Sequence, residues 1–229
     1  MKRIGHKGAD AVEAGNTIES FEAAAELGVD MIELDVLRLL DGELVVAHDY
    51  RDADRRRPLR LDDALDAFAS APLDGVELDC DLKVPGGEAE LTAALRDRGL
   101  LERAMVSTME LSSIAKLRER EPSLRLGWTY PKVSRDWSRS RWARPGVAGA
   151  LLFMRRRLPR IAARTLPRLG VQALWAYYPL VTKRLVAAAE EAGVEVIAWT
   201  VDDLPRMRAL RGLGVHGICT NDPGLFSRL

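Results

Sequence analysis

The chain has 229 residues, nearly half of them apolar, enough to enclose one substantial core. Its 34 basic and 34 acidic residues cancel, so bulk charge gives no attraction to nucleic acid or to a membrane surface. No run of about 18 or more apolar residues occurs, which argues against a membrane-spanning helix. The opening MKRIGHKGAD has no apolar signal-peptide segment, and Cys80 and Cys219 each stand alone in an apolar run. The expectation is a cytoplasmic protein, one domain over residues 1–229, with two reduced and packed thiols.

Residues 2–6 read as a short strand ending at His6, followed by a loop from Lys7 to Gly15. Asn16 and Glu19 have the spacing of a capping pair, and Ile18, Phe21 and Ala25 continue a helical apolar face that Gly28 closes. Residues 29–36 form a second strand. Glu33 and Asp35 are two apart, so in a strand they share a face. Asp41-Gly42 signals a hairpin turn, and a return strand over 43–48 brings His48 back toward Asp35. The charged stretch 50–60, with arginines at 55–57, reads as a solvated loop, and a short helix is expected over 62–70.

Residues 75–83 alternate without interruption. Val76, Leu78, Cys80 and Leu82 face one way; Glu77, Asp79, Asp81 and Lys83 face the other. Four ionisable groups on one strand face are expected where that face is a site. A regular rhythm follows: helix 88–98, strand 104–108, helix 110–120, strand 124–129, strand 171–177, helix 183–192, strand 195–201, helix 203–211 and strand 215–220. Leaving the return strand aside, parallel strands begin near residues 2, 29, 75, 104, 124, 171, 195 and 215. Eight such strands fit the α/β class and a closed (β/α)8 TIM barrel with an extra hairpin after its second strand. An open doubly wound sheet would call for a glycine-rich phosphate loop, and none is present. Residues 131–168 break the rhythm. They hold Trp137, Trp142, an LLFM run at 151–154 and arginines at 155–157, and read either as a lid or as a helix on the outside of the barrel.

Reactive groups in such a barrel gather at the C-terminal ends of the strands. His6, Glu33, Asp35, Asp81, Lys83, Trp199 and Asn221 fall there, with His48 on the hairpin partner. His216, within the eighth strand, reads as a structural or surface residue. Three acids, two histidines and a lysine suit metal-assisted phosphate-ester chemistry. Glu33, Asp35 and Asp81 can offer oxygens to one Mg2+ or Ca2+, Lys83 can neutralise phosphate charge, and His6 and His48 can share acid and base duty.

Six stretches then carry a family resemblance. They are GHKGADAVEAGNTIESF at 5–21, DMIELDV at 30–36, DGELVVAHD at 41–49, DLKVPG at 81–86, VIAWTVDD at 196–203 and GVHGICTNDP at 214–223. In these and in their order the chain resembles the glycerophosphodiester phosphodiesterase family. The resemblance implies a TIM barrel that hydrolyses glycerophosphodiesters to an alcohol and glycerol 3-phosphate with one divalent cation, Mg2+ or Ca2+. It implies that His6 and His48 are the catalytic histidines, Glu33, Asp35 and Asp81 the metal ligands, and Lys7, Lys83 and Trp199 substrate-binding residues. Three positions depart from the family pattern. Lys7 follows the first histidine in place of arginine, Gly15 stands in place of a glutamate, and Asp81 in place of a glutamate. The stretch between His48 and Asp81 is short, so the small subdomain many members insert there is reduced. A more open mouth raises a second expectation, a lysophospholipase D or sphingomyelinase D-like activity on acyl-bearing diesters. A third is a barrel that binds phosphate ligands without turnover. The expected partners are a small-molecule phosphodiester and a transient lipid contact, with no nucleic acid.

Overall fold

A computed structural model describes residues 1–132 and 144–229, of which 144–147 by backbone alone. Strand β1 (Lys2–His6) leads through a loop into helix α1 (Ile18–Glu26), then β2 (Met31–Arg38) and its antiparallel return strand β3 (Leu44–Val46). Helix α2 (Tyr50–Arg55), the two-residue β4 (Leu59–Arg60) and α3 (Leu61–Phe68) cross to β5 (Glu77–Leu82). The alternation continues with α4 (Glu88–Asp97), β6 (Ala104–Thr108), α5 (Leu111–Arg120), β7 (Arg125–Tyr130) and α6 (Arg144–Leu169). It ends with β8 (Ala173–Tyr177), α7 (Lys183–Glu190), β9 (Glu195–Trp199), α8 (Leu204–Gly212) and β10 (Gly217–Thr220).

Strands β1, β2, β5, β6, β7, β8, β9 and β10 are parallel neighbours in a ring. Strand β1 closes it by pairing on both sides, Ile4 with Cys219 of β10 and with Met31 of β2. Strands β3 and β4 lie outside the ring as an antiparallel extension of β2. Strand alternation divides the apolar residues into two layers. Outward residues such as Leu34, Leu78, Val106 and Leu174 meet the helices, where Phe21 of α1 and Phe68 of α3 stack at 5.3 Å between ring centres. Inward residues Ile4, Met31, Met105, Trp175, Ile197 and Cys219 fill the barrel. Gly127 makes room for Trp175, since a Cβ there would lie 2.8 Å from the indole ring. Glu77, nearest the N-terminal end of β5, joins Lys2 at 2.8 Å and Arg125 at 2.6 Å. That end is therefore tied by charge, and the inward positions beyond the apolar layer open toward the other end.

Local details differ from the sequence expectations at three places, and at a fourth the structure selects one of two readings. The 39–43 hairpin is not a two-residue turn: Gly42 N donates to Leu39 O at 3.0 Å, Leu39 N to Glu43 O at 2.8 Å, and Gly42 takes φ 99°, giving a three-residue loop with a left-handed glycine. The 50–60 stretch is not a plain loop, because Asp49 caps α2 by accepting from Asp52 N at 2.9 Å. The α1 cap is Thr17, whose hydroxyl accepts from Ser20 N at 3.2 Å, and not Asn16. Within 131–168, residues 144–169 are a helix on the outside of the barrel, with Leu158, Ala162 and Leu166 buried in the outer apolar layer. Trp137 and Trp142 lie outside the described residues. Both cysteines are free and buried, and His216 is built into the backbone, its Nδ1 accepting from Val196 N at 3.1 Å.

Candidate active site

The mouth collects the inward residues of the strand ends. Register sets Glu33 opposite Asp79 and Asp35 opposite Asp81 on adjacent strands β2 and β5. Oxygens of Glu33, Asp35 and Asp81 all lie within 4.8 Å of one another, and all three residues are buried. Lys83 follows β5 directly, held by its backbone N on Val36 O at 2.9 Å. Its ammonium ion-pairs with Asp35 and with Asp81, the latter at 2.5 Å. Asp81, although one carbon shorter than glutamate, thus reaches the same point as the other two acids.

The charges in this cluster do not balance. Burial, then the neighbouring Asp35 charge, pushes the Glu33 carboxyl well above the ordinary carboxylate range. Burial also works against Asp35, but the Lys83 ammonium, with Lys7 and the two histidines, outweighs it and holds Asp35 far below that range. Lys83 stays charged because Asp35 and Asp81 overcome its own burial. One ammonium is therefore in ion-pair reach of this group of three buried carboxylates, and Glu33, farthest from compensation, is shifted toward its neutral form. An all-oxygen donor set with that deficit fits a hard divalent cation. One layer deeper, burial and Asp81 push Asp79 well up as well, and its Oδ2 accepts from Ser107 Oγ at 2.7 Å.

His6 stands at the end of β1 with Nε2 3.9 Å from Glu33 Oε2. Its Nδ1 is 2.6 Å from Asn221 Oδ1. Asp202 accepts from Asn221 Nδ2 at 2.7 Å and from Asn221 N at 2.8 Å, which turns the amide oxygen toward His6. The Nδ1 proton is therefore donated to Asn221, and the Nε2 lone pair faces the site. Burial, followed by the charge of Lys7, lowers the His6 pKa. His48 arrives from outside the ring. Ala47 N, next to it, donates to Asp35 O at 3.1 Å, so the hairpin register brings His48 to the mouth as the spacing implied. Its side chain is exposed, with Nδ1 3.4 Å from Asp49 Oδ2.

Lys7 takes φ 53° and donates its backbone N to Glu33 Oε2 at 3.0 Å. Its side chain lines a cleft of about 560 Å3 with Asn16, His48, Arg51 and Arg55. Arg56 braces this wall, chelating Asp52 at 3.1 and 2.9 Å and reaching Gly15 O at 3.2 Å. A Cβ on Gly15 would collide with Asp10 Oδ1, which accepts from Gly15 N at 2.9 Å. Of the loop's two carboxylates, Asp10 and Glu13, Asp10 is on the cleft wall, and Gly15 contributes none. Trp199 ends β9, tilted against Tyr177 at 5.6 Å, with an indole N–H that meets no acceptor among the described residues.

Sequence reasoning missed two positioning residues. Asn16 is 1% exposed; its Nδ2 donates to Asp35 Oδ2 at 2.7 Å and its Oδ1 accepts from Asp35 N at 3.1 Å. Asp202 sets the Asn221 amide and through it His6. A second capping residue, Thr17, directly after Asn16 was the available hint that the asparagine had another task.

The sequence pattern of the glycerophosphoryl diester phosphodiesterase family matches residues 6–83 and 83–225. A glycerophosphodiester phosphodiesterase of Caldanaerobacter subterraneus is 25% identical over 253 residues, spanning 96% of this chain and 93% of its own. Another, from Arabidopsis thaliana, is 26% identical over 98% of this chain and 71% of its own. Two solved structures share the fold. One is a glycerophosphodiester phosphodiesterase of Parabacteroides distasonis, with TM-score 0.77 and 20% identity, covering 99% of this chain and 97% of its own. The other is an Oleispira antarctica phosphodiesterase in complex with sn-glycerol-3-phosphate, with TM-score 0.71 and 17% identity, covering 100% and 96%. A match that runs from the first strand-end histidine to beyond the last strand places this chain in the glycerophosphoryl diester phosphodiesterase family.

Proposed function

We propose that the protein hydrolyses glycerophosphodiesters to an alcohol and glycerol 3-phosphate with the help of one divalent cation. The observation that carries this reading is the convergence of Glu33, Asp35 and Asp81 around Lys83, with His6 and His48 at the same mouth. Those three carboxylates would hold one Mg2+ or Ca2+, which when bound supplies charge for the phosphate oxygens. Lys83 and Lys7 add positive charge where the phosphoryl group gains negative charge. His6 Nε2 accepts the proton of the attacking water, because Nδ1 is committed to Asn221. His48 gives a proton to the departing alcohol oxygen as the phosphorus–oxygen bond to it breaks. Trp199 forms a wall for the glycerol. The product bound to the Oleispira antarctica relative is the monoester this reaction leaves behind.

The test is release of glycerol 3-phosphate from glycerophosphocholine, glycerophosphoethanolamine and glycerophosphoglycerol by purified protein with Mg2+ or Ca2+, and its loss with a chelator. Inertness toward every member of that panel overturns the reading. His48→Ala is expected to lose about 10²–10⁴ in turnover while still binding glycerol 3-phosphate. Unchanged turnover removes His48 from the reaction. A second reading, cleavage of acyl-bearing diesters such as lysophosphatidylcholine, is favoured by exposed Leu152 and Phe153 near the mouth end of α6. A higher kcat/KM for lysophosphatidylcholine than for glycerophosphocholine selects it; the reverse order removes it.

A further inference from the structure

Charge neutrality over the whole chain hides one segment. Helix α6 carries arginines at 144, 155, 156, 157, 160, 164 and 168 and no acidic residue along its length. The residues before Arg155, GVAGALLFM over 146–154, carry no charge at all. The core-facing stripe of α6 is Leu158, Ala162 and Leu166, with the half-buried Leu151, Met154 and Ile161 packed alongside. Leu152 and Phe153 do not belong to it and are 61% and 59% exposed, while Ala148, Gly149 and Ala150 are also exposed. The Arg157 guanidinium lies 5.0 Å over the Phe153 ring. Phe153, Met154, Arg157, Arg160 and Arg164 line an outward groove of about 420 Å3 with Tyr130, the last residue of β7.

The position of this feature matters as much as its composition. Helix α6 enters after β7 and leaves before β8, so it runs antiparallel to the strands with its N-terminal end on the mouth side. Arg155 Nη1 donates to Pro179 O at 2.9 Å, just past the C-terminal end of β8. Arg155 is therefore level with the mouth. At about 1.5 Å per residue the preceding part of the helix, from residue 144, rises roughly 16 Å beyond it. The uncharged stretch 146–154 stands at the mouth side of the barrel, between Arg144 at the head of the helix and a collar of arginines beneath it.

We propose that this end of α6 docks the barrel, mouth first, on an anionic lipid bilayer, with Leu152 and Phe153 in the headgroup–acyl boundary and Arg156, Arg157 and Arg160 among the anionic headgroups. Charge complementarity selects the partner: a helix face without one carboxylate fits a negative surface. The apolar tip selects a bilayer over a nucleic acid, whose phosphates have no use for exposed leucine and phenylalanine. The inference holds whether or not the proposed hydrolysis is correct, since binding is read without turnover.

The experiment uses the whole protein and two sets of vesicles, phosphatidylcholine alone and equal parts phosphatidylcholine and phosphatidylglycerol. Co-sedimentation is expected with the mixed vesicles only, and it weakens in high salt. Neutralising Arg156, Arg157 and Arg160 to glutamine lowers the partition coefficient by about fivefold for each arginine. Leu152→Glu with Phe153→Glu abolishes co-sedimentation. Both variants keep the wild-type melting temperature within a few degrees, since none of these residues is buried. The proposal is overturned by any of four results: no co-sedimentation, equal binding to both vesicle types, binding that survives both variants, or a concentration-dependent dimer that the tip variant dissolves. Binding to random-sequence DNA through the same arginines, with none to vesicles, overturns it as well.

Discussion

Replacing Asn16 by glycine separates its backbone duty from its side-chain duty. Asn16 sits at φ 63°, a region glycine enters without strain, so Asn16→Gly leaves the loop path intact and deletes only the amide. Two contacts to Asp35 go with it, one to the carboxylate at 2.7 Å and one from its backbone N–H at 3.1 Å, both buried. A hydrogen bond to a charged group contributes about 1.5–3 kcal/mol, and a buried N–H left without a partner costs about 1–3 kcal/mol. The expected loss is about 3–5 kcal/mol in urea unfolding of the metal-free protein. The lost support also frees Asp35 to rotate away from Glu33 and Asp81, so affinity for a divalent cation falls about 10–100-fold. Isothermal titration with Mn2+ as a probe reads that second effect apart from the first. A variant within about 1 kcal/mol of wild type that binds cation equally well refutes the clamp.

Three further outcomes follow from the geometry. Glu33 and Asp79 hold their protons in the folded metal-free protein at pH values where the unfolded chain has lost them, so the native state binds more protons above about pH 4. His6, whose pKa burial lowers, acts in the opposite sense over this range, so the comparison is made in the His6→Asn variant: the chelated variant is expected to melt lower at pH 7 than at pH 5, and added divalent cation narrows the gap; a melting temperature flat across that range contradicts the assignment. Asn221→Leu removes the acceptor for His6 Nδ1, so kcat is expected to drop by about tenfold to a hundredfold with KM nearly unchanged, and an unchanged kcat rejects the positioning role. Gly127→Ala drives a methyl group into the Trp175 ring, at a cost of about 1–3 kcal/mol seen by chemical denaturation, and a neutral result means the barrel interior gives way more easily than its packing implies.

The strand and helix periods are local, so they are readable from one segment at a time. That is why eight strands, the barrel and the strand-end residues His6, Glu33, Asp35, Asp81 and Lys83 were visible in the linear chain. Hairpin pairing is nearly as local, and it carried His48 to its place even though the turn has a different shape. The charged stretch 50–60 misled because its helix is only six residues long and owes its start to one cap, Asp49, a signal too weak beside so many arginines.

What only the tertiary structure decided are contacts across the closed ring. Asn16 looked like a helix cap because nothing near it in sequence names Asp35 as its partner. His6 and Asn221 meet only because β1 pairs with β10, which joins the two ends of the chain. The charge deficit at Glu33 exists only once burial removes water from three carboxylates at once. The same holds for α6: its arginines are plain in the sequence, but only its packing on the barrel tells which face is covered and which end stands above the mouth.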